Sequence, residues 1–436
     1  MLNDQDQYTD GGKHMSIRRT LTDTLGRSGK TSRMTKGAMA TAALALIASA
    51  CGSGSASSSS SNSSAATTAA PATTAAAPQI TTSSLDSSFA AMTSLKPLVS
   101  QGKGKVAIIL PDTQSSARYV SFDAPYLTKA FQMAGYSASD FIIENAQGSD
   151  ATQLSDAQAA ITNGASVLAV DPIDSGVGAS IESYAAAHGV KVIDYDRITL
   201  NGSASYYVSF DNVQVGKLIG QSFLSCISNW GVKNPQVYIM DGSPTDNNAT
   251  LFAQGYNSVI NPAIQAGQLT KVGEIAVTNW DNQVALTDFQ QAYQAHPNIN
   301  AVVTANDGIG NAVVSALKTL NVAPKTVPTT GQDATLQGMT NILEGYQCSS
   351  IYKPIYLEAQ ATVALATYLR AGMTPPSGLV NGTTNNKTTN VPSVLLTPIA
   401  VTASNMASTV IKDGFIQASA LCVGNVAALC TENGIS

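Results

Sequence analysis

The sequence predicts an α/β protein made of two doubly wound parallel-sheet domains. Short apolar runs such as KVAIIL, SVLAV and VKVID alternate with longer segments of helical period, such as APYLTKAFQMAG. Because these runs lack the polar alternation of a half-exposed strand, they indicate strands buried on both faces of a parallel sheet. The same alternation of apolar runs and helical segments starts again after Phe210, with QVYIM, KVGEIAV, NAVVT and SSIY as strand candidates. Two successive α/β units in 436 residues therefore predict two domains.

Residues 1–50 predict an export signal of the lipoprotein type. Arg33 and Lys36 precede the uncharged run GAMATAALALIASA, which ends at Cys51. A positive region, a short apolar run and small residues before a break are typical of secretory signals, and this run is short for a membrane span. The break resembles a bacterial lipobox, which implies that lipidated Cys51 anchors the exported protein to the outer face of the cell membrane. The alternative is a cleaved peptide in which Cys51 is an ordinary cysteine.

Residues 51–100 are predicted to be a flexible tether that follows the lipidated cysteine. The stretch GSGSASSSSSNSSAATTAAPATTAAAPQITTSS contains almost no side chain that can bury apolar area. Segments of this composition act as linkers, because they cannot offset the entropy lost on folding. No later run in the sequence reaches the length of a transmembrane helix.

Charge and histidine content argue against two classes of partner. The net charge is -5 and only 12% of residues are charged, so there is no basic excess to neutralise nucleic-acid phosphates. His188 and His296 are the only histidines after residue 50, and neither stands near another soft ligand. We therefore predict no nucleic-acid partner and no metal site.

Four cysteines follow Cys51, and none of them forms a C-x-x-C motif. In an oxidising compartment, an even number of cysteines predicts disulfides. We expect Cys422 to pair locally with Cys430, and Cys226 to pair with Cys348. Free buried thiols are the alternative.

The polar stretch DGSPTDNNATLFAQG, residues 241–255, follows a predicted strand and has four interpretations. A calcium loop of the EF-hand type would need a glycine and a closing glutamate that this stretch lacks. Asn248 begins an N-x-T sequon, which fits a glycosylation acceptor. Catalytic carboxylates would need to act in pairs, but Asp196, Asp246 and Asp333 each stand beside an amide or a guanidinium. The fourth interpretation, a loop that binds a polyhydroxylated ligand, is the favoured one.

Polar side chains recur directly after the predicted strands of both units. Ligands of open α/β sheets bind outside the carboxyl ends of the strands, so these groups predict one site between two facing domains. Sugar hydroxyls suit carboxylates, amides and guanidinium groups, while aromatic rings cover the apolar sugar faces. Helix capping is the alternative for residues such as Asp171, Asp211 and Asn212. The sugar-binding candidates are Arg118, Tyr119, Asp196, Arg197, Asp246, Asn248, Trp280, Asn306, Asp333 and Lys353.

Motifs for enzymes and cofactors are missing from the sequence. There is no G-x-x-x-x-G-K-[ST] loop for nucleotide phosphates, and the two G-x-G pairs lack a third glycine at the right spacing. There is also no G-x-S-x-G elbow for a serine nucleophile. We therefore predict no catalytic residue and no cofactor.

The order YDRI, VSFDN, GSPTDNNATLF, ANDG, GQDA, IYKPI, LLTPI and VIKDGF resembles the D-xylose-binding proteins of bacterial ABC sugar importers. These proteins belong to the ribose/galactose-type periplasmic binding family, and the resemblance covers about residues 104–416. It implies the type I periplasmic-binding-protein fold, in which a three-segment hinge joins two discontinuous domains. The N-terminal domain would comprise 104–209 plus 354–395, and the C-terminal domain 210–353 plus 396–436.

The resemblance also implies the role of each candidate residue. Tyr119 and Trp280 would sandwich the sugar ring, and the other eight candidates would hydrogen-bond its hydroxyls. Tyr119 stands where the family commonly has tryptophan. The implied protein is a monomer that captures a monosaccharide, D-xylose, and delivers it to an ABC permease. A sensory binding protein, a sugar-responsive transcription regulator and an exported glycosidase are the alternatives.

Overall fold

The structure, a computed structural model, describes residues 78–436. The predicted export signal, the lipidated Cys51 and the tether up to residue 77 lie outside these residues. Within residues 78–436, no helix is long and apolar enough to cross a membrane.

Strands and helices alternate along the described chain, which confirms the predicted α/β class. The strands are β1 (Lys105–Leu110), β2 (Phe141–Asn145), β3 (Ala165–Val170), β4 (Lys191–Tyr195), β5 (Tyr206–Phe210), β6 (Gln236–Asp241), β7 (Thr270–Ala276), β8 (Ala301–Thr304), β9 (Ser350–Tyr352), β10 (Gly382–Asn385), β11 (Asn390–Leu396) and β12 (Ile399–Val401). The helices are α1 (Lys96–Gln101), α2 (Ala124–Ala134), α3 (Asp150–Thr162), α4 (Ser175–Ala187), α5 (Asn212–Asn229), α6 (Asn247–Gln265), α7 (Asn282–Ala295), α8 (Asp307–Thr319), α9 (Leu336–Glu344), α10 (Ile355–Arg370), α11 (Ala418–Leu421) and α12 (Ala427–Glu432).

A seven-stranded sheet forms the centre of the first lobe, in the order β10-β11-β5-β4-β3-β1-β2. Its neighbouring strands are parallel except for the β10–β11 pair, which is antiparallel. In β1, Ile108 and Ile109 point to opposite faces and both are fully buried, which explains the unbroken apolar run. We call this sheet, the segment before it and the helices α1–α4 and α10 lobe 1.

The second lobe contains a three-stranded parallel sheet, β7-β6-β8, and a two-stranded antiparallel sheet, β12-β9. An irregular segment, residues 320–335, connects α8 to α9 and passes beside β8. There, the Thr304 amide donates to the Thr330 hydroxyl at 2.9 Å, and that hydroxyl donates to the Thr304 carbonyl at 3.0 Å. These side-chain bonds replace part of a regular strand ladder, so the sheet is divided. We call these sheets and the helices α5–α9, α11 and α12 lobe 2.

The chain passes between the two lobes three times, after Phe210, after Tyr352 and after Leu396. Strands β5 and β11, which end at two of these crossings, are hydrogen-bonded neighbours in lobe 1, with Phe210 opposite Leu396. The carboxyl ends of the lobe 1 strands therefore lie next to the connections to lobe 2.

Residues 78–100 are not a tether, and the predicted boundary at residue 100 is wrong. Two short helical turns, Thr82–Ser84 and Ala90–Leu95, lead into α1. Phe89, Met92 and Leu95 are fully buried in the lobe 1 core, and their burial offsets the entropy of ordering this segment. The prediction failed because these apolar side chains are spaced among serines, threonines and alanines.

Residues 78–436 contain two disulfides, and they are the two pairs expected from the sequence. Cys226 in α5 is bonded to Cys348, which precedes β9, with 5.8 Å between their Cα atoms. Cys422 is bonded to Cys430, with a Cα separation of 5.7 Å. Both bonds lie inside lobe 2, so neither of them joins the two lobes.

Candidate functional site

The strand ends of the two lobes enclose a small cavity of about 20 Å³. It is lined by all ten sequence-predicted candidates, namely Arg118, Tyr119, Asp196, Arg197, Asp246, Asn248, Trp280, Asn306, Asp333 and Lys353. A cavity of this size has room for about one water molecule, so a larger ligand can enter only if the lobes part. A second cleft of about 510 Å³ shares Ser115, Arg197, Asp246 and Trp280 with the cavity, and it provides the approach to it.

Arg118 lies at the lobe 1 side of the cavity and is held by three buried carboxylates. Its Nε and Nη2 atoms donate to both oxygens of Asp123, at 2.9 and 2.7 Å. Nη2 also donates to Glu358 at 2.6 Å, and Nη1 donates to Asp196 at 2.7 Å. Such a bidentate and multiply bonded guanidinium has a fixed orientation. Arg118 is therefore pre-organised before any ligand arrives.

Asp196 follows β4 and is paired with two cations of the site. Besides Arg118, it lies 3.5 Å from the Lys353 ammonium, and the Tyr119 hydroxyl donates to it at 3.3 Å. Burial opposes its charge, but Arg118, Lys353 and Arg197 outweigh burial and hold the pKa of Asp196 well below its usual range. Asp196 therefore stays ionised and can accept hydrogen bonds from hydroxyl donors.

Arg197, Asp246 and Trp280 close the cavity on the side of the outer cleft. The Arg197 Nε atom lies 3.1 Å from Asp246 Oδ2, and this ion pair joins lobe 1 to lobe 2. Trp280 Nε1 donates to the same oxygen at 3.1 Å. Burial raises the pKa of Asp246, although Arg197 acts against the shift. A ligand that enters from the outer cleft must displace this pair.

Asn248, at the start of α6, spans the two lobes. Its Nδ2 donates to the backbone carbonyl of Asp196 at 3.0 Å, and its Oδ1 accepts from Asn212 Nδ2 at 2.8 Å. Only 2% of Asn248 is exposed, so a glycan has no access to the sequon in this closed arrangement. Asn212, which was open to a capping interpretation, instead positions Asn248.

Asp333, Lys353 and Asn306 form the remaining wall of the cavity. The Ser116 hydroxyl of lobe 1 donates to Asp333 Oδ2 at 2.9 Å, and Lys353 Nζ lies 3.6 Å from Asp333 Oδ1. Asn306 Oδ1 caps α8 by accepting from the Ile309 amide at 2.9 Å. The contact between Ser116 and Asp333 is a third direct link across the cleft, after Arg197–Asp246 and Asn248–Asp196.

Three of the cavity residues have left-handed backbone conformations. The φ angles are 56° at Asp196, 56° at Trp280 and 95° at Asp333, a region that non-glycine residues rarely adopt. At Asp196 the strain is offset because its carbonyl accepts hydrogen bonds from Tyr207 at 2.9 Å and Ser209 at 2.8 Å, as well as from Asn248. Strained backbone that is held in this way is concentrated at functional sites.

Sequence reasoning missed several residues that shape the cavity. Asp123 and Glu358 fix Arg118, but Glu358 is 240 positions away in the chain and lies inside a helix. Gly242 allows the Trp280 ring to lie against the backbone, because a Cβ atom at Gly242 would lie 1.9 Å from that ring. Ser115, Ser116, Phe252 and Gln332 also line the cavity. Of these four, Gln332 stands directly beside a predicted candidate, Asp333, in the sequence.

The charges of the site favour an uncharged polar ligand. Each of the three cations, Arg118, Arg197 and Lys353, already contacts acidic side chains of the site, which are Asp123, Asp171, Asp196, Asp246, Asp333 and Glu358. An anionic ligand would find its positive partners already paired. No group of three or more potential ligands in residues 78–436 is arranged to hold a metal ion. Donors and acceptors next to aromatic rings suit a polyhydroxylated molecule.

Comparison with known proteins gives the family. Residues 106–373 match the periplasmic binding protein domain. The D-xylose-binding periplasmic protein of Escherichia coli is 36% identical over 280 residues, which are 64% of this chain and 82% of the relative. The multiple sugar-binding periplasmic protein of Azospirillum brasilense is 32% identical over 338 residues, which are 74% of this chain and 92% of the relative.

Solved structures show the same fold. A carbohydrate transporter solute binding protein from Chloroflexus aurantiacus, in complex with D-glucose, is 27% identical with a TM-score of 0.65, and the match covers 72% of this chain and 97% of that chain. A solute binding protein from Clostridium phytofermentans with bound β-D-glucose has a TM-score of 0.66 at 27% identity, and the match covers 72% of this chain and 99% of that chain. The chain therefore belongs to the periplasmic binding protein family, among the type I sugar-binding proteins of ABC importers.

Proposed function

We propose that this protein captures D-xylose between its two lobes and delivers it to an ABC permease, without catalysing a reaction. The observation that carries the proposal is the convergence of all ten predicted sugar-binding residues on one closed interlobe cavity. The similarity to the D-xylose-binding periplasmic protein of Escherichia coli, at 36% identity, supports D-xylose as the sugar.

The polar groups of the cavity supply enough binding energy for this role. On binding, the ion pairs that now close the cavity would be exchanged in part for hydrogen bonds to sugar hydroxyls. Hydrogen bonds to charged groups contribute roughly 1.5–3 kcal/mol each, and micromolar affinity needs only about -8 kcal/mol. Arg118, Asp196 and Asp333, with stacking on Tyr119 and Trp280, would therefore bind a monosaccharide tightly even after the cost of closing the lobes.

Preference for a pentose would follow from the tight closure of the site. Ser116 contacts Asp333, and Arg197 contacts Asp246, so little space separates the lobes. A hexopyranose carries an added hydroxymethyl group, which would have to displace one of these interlobe contacts. One such group in a fitted pocket changes affinity by about 1–3 kcal/mol.

A calorimetric panel of sugars tests the proposal. We expect D-xylose to bind the purified protein with micromolar affinity and to raise its melting temperature, and D-glucose to bind more weakly. If D-glucose bound more tightly than D-xylose, D-glucose would become the assigned ligand in place of D-xylose. The absence of binding by every pentose and hexose tested would overturn the proposed function, and turnover of an aryl xyloside would favour a glycosidase.

We also propose that lipidated Cys51 anchors the monomeric protein to the outer face of the cell membrane. The support is the apolar run that ends at Cys51 and the exported nature of the family. The wild-type protein should fractionate with membranes, whereas Cys51→Ser should release it into the soluble fraction. Equal membrane retention of both proteins would rule out this anchor.

A second candidate is a sensory role, in which the loaded protein presents its sugar to a membrane receptor. It is favoured by one relative, the multiple sugar-binding periplasmic receptor of Rhizobium radiobacter, at 32% identity over 339 residues. Sugar uptake distinguishes the two roles, because loss of the protein should abolish xylose import only if it feeds a permease.

A further inference from the structure

The C-terminal segment 407–416 of lobe 2 makes an aromatic contact with lobe 1. The Phe415 ring stacks on the Phe122 ring, with 3.8 Å between centroids and 15° between planes. Phe122 belongs to the helical turn Tyr119–Asp123, which directly follows Arg118 and carries Tyr119. Phe415 is buried, with 4% of its surface exposed, and Phe122 is partly buried. A stacked pair therefore joins the lobes outside the cavity.

The same segment is bonded to the crossing that carries Lys353. Asp413 Oδ2 accepts from the Tyr352 hydroxyl at 3.2 Å and from the Tyr356 hydroxyl at 3.1 Å. Tyr352 ends β9 in lobe 2, and Tyr356 lies in the first turn of α10 in lobe 1. Phe415 also packs against the Tyr352 ring at 4.8 Å. One carboxylate and one ring of the segment therefore reach both sides of this crossing.

We propose that residues 407–416 form a clamp that favours the closed arrangement of the lobes and so sets the affinity of the site. The proposal rests on the proposed function. No residue of the clamp lines the cavity, so Phe415 and Asp413 are positioning residues that touch no ligand.

The clamp acts through the equilibrium between open and closed lobes. When the lobes part, Phe122 moves with lobe 1 and Phe415 with lobe 2, so the stack must separate or slide. A ligand that needs the closed form binds less tightly when that form is less populated, in proportion to its population. Contacts outside the cavity therefore contribute to the measured dissociation constant.

Phe415→Ala tests the clamp. Because an aromatic pair stabilises a structure beyond the effect of its buried area, we expect the dissociation constant for D-xylose to rise about twofold to twelvefold. The increase should come mainly from faster dissociation, and Phe415→Tyr, which keeps the stack, should restore it. Phe122→Ala should have a similar effect, and the double variant should add little to either single change.

A matched control separates the clamp from general destabilisation. Tyr293→Ala removes a ring that packs on Phe289 at 5.7 Å within α7 of lobe 2, so it should leave the dissociation constant unchanged. Small-angle scattering of the ligand-free proteins should show a larger radius of gyration for Phe415→Ala than for the wild type. If Phe415→Ala lowered the melting temperature but left affinity and scattering unchanged, the segment would stabilise the fold by packing without acting as a clamp.

The scattering measurement also distinguishes this proposal from the proposed function. If the wild-type protein binds no sugar, the proposed function fails, but the comparison of ligand-free scattering still tests the clamp. If sugar binds normally to Phe415→Ala, the clamp fails while the proposed function stands.

Discussion

At the scale of single residues, Asp246 shows how one carboxylate serves two structural purposes. Its Oδ1 accepts from the Asn248 amide at 2.8 Å and so caps α6, while its Oδ2 faces Arg197 and Trp280. Asn306 likewise caps α8 and lines the cavity. Capping and ligand binding are therefore compatible at the same residue, because a cap uses only one of its polar atoms.

Two substitutions test the cavity residues directly. Asp333→Ala removes an acceptor for a sugar hydroxyl, and Trp280→Ala removes a stacking surface. We expect each change to weaken D-xylose binding by about 2 kcal/mol or more, roughly thirtyfold in dissociation constant, by calorimetry. Trp230→Ala is the matched control, because Trp230 lies at the end of α5 and does not line the cavity.

Wild-type affinity in both cavity variants would show that the sugar binds elsewhere. An equal loss of affinity in Trp230→Ala would point to general destabilisation. The melting temperatures of the ligand-free variants should be recorded alongside, because Trp280 is itself 5% exposed and packs in the lobe 2 core.

At the scale of elements, apolar runs made the sheets predictable. KVAIIL, SVLAV and QVYIM all correspond to buried strands, because a strand covered on both faces needs an unbroken apolar run. The segment 78–100 was not predictable in the same way. This segment is ordered by contacts with α10, which is remote from it in the sequence. One of them is the hydrogen bond that Gln360 Nε2 donates to the Asp86 carbonyl at 2.8 Å.

Part of the cavity lining was also predictable, because the positions of the strands fix the positions of the residues that follow them. Residues such as Asp196 and Asn306 directly follow strands, so topology alone brings them to the cleft. Glu358 and Gly242 could not be found in this way, since one acts through Arg118 and the other only leaves space for Trp280. Short motifs carry the residues that face a ligand, but not those that support them from a distance.

At the scale of the whole molecule, buried carboxylates couple folding to pH. Burial raises the pKa of Asp307 to about 7, although hydrogen bonds to its carboxyl group oppose the shift. Burial raises the pKa of Glu358 to about 8, although Arg118 opposes that shift. Burial also raises the pKa values of Asp171 and Asp194. The pKa of Asp196 is shifted in the opposite direction, to lower values, so the stabilising effect of its charge is lost only under strongly acidic conditions.

The sign of the pH dependence follows from these shifts. Unfolded aspartate and glutamate titrate near pH 4, so between about pH 4 and 8 the folded protein retains protons that the unfolded chain has released. The free energy of unfolding should therefore fall as pH rises through this window, by up to about 1.4 kcal/mol per pH unit for each group. Urea unfolding of the ligand-free protein at pH 5, 6.5 and 8 measures this slope.

Glu358→Gln provides the comparison for the pH experiment. Glutamine keeps an acceptor for Arg118 but cannot titrate, so the slope between pH 5 and 8 should be shallower than in the wild type. A wild-type protein that is equally stable or more stable at pH 8 would contradict the assignment of raised pKa values to these carboxylates.

The position of residues 78–101 also has a mechanical consequence. The segment is bonded to lobe 1, since the Thr82 amide donates to the Gly378 carbonyl at 3.0 Å and the Tyr368 hydroxyl donates to the Pro78 carbonyl. If the lobes part as the proposed function requires, a force applied to the N-terminal side of the fold reaches lobe 1 first and does not pass through the three interlobe connections. Pulling on the N-terminus would then leave the opening of lobe 2 against lobe 1 without load.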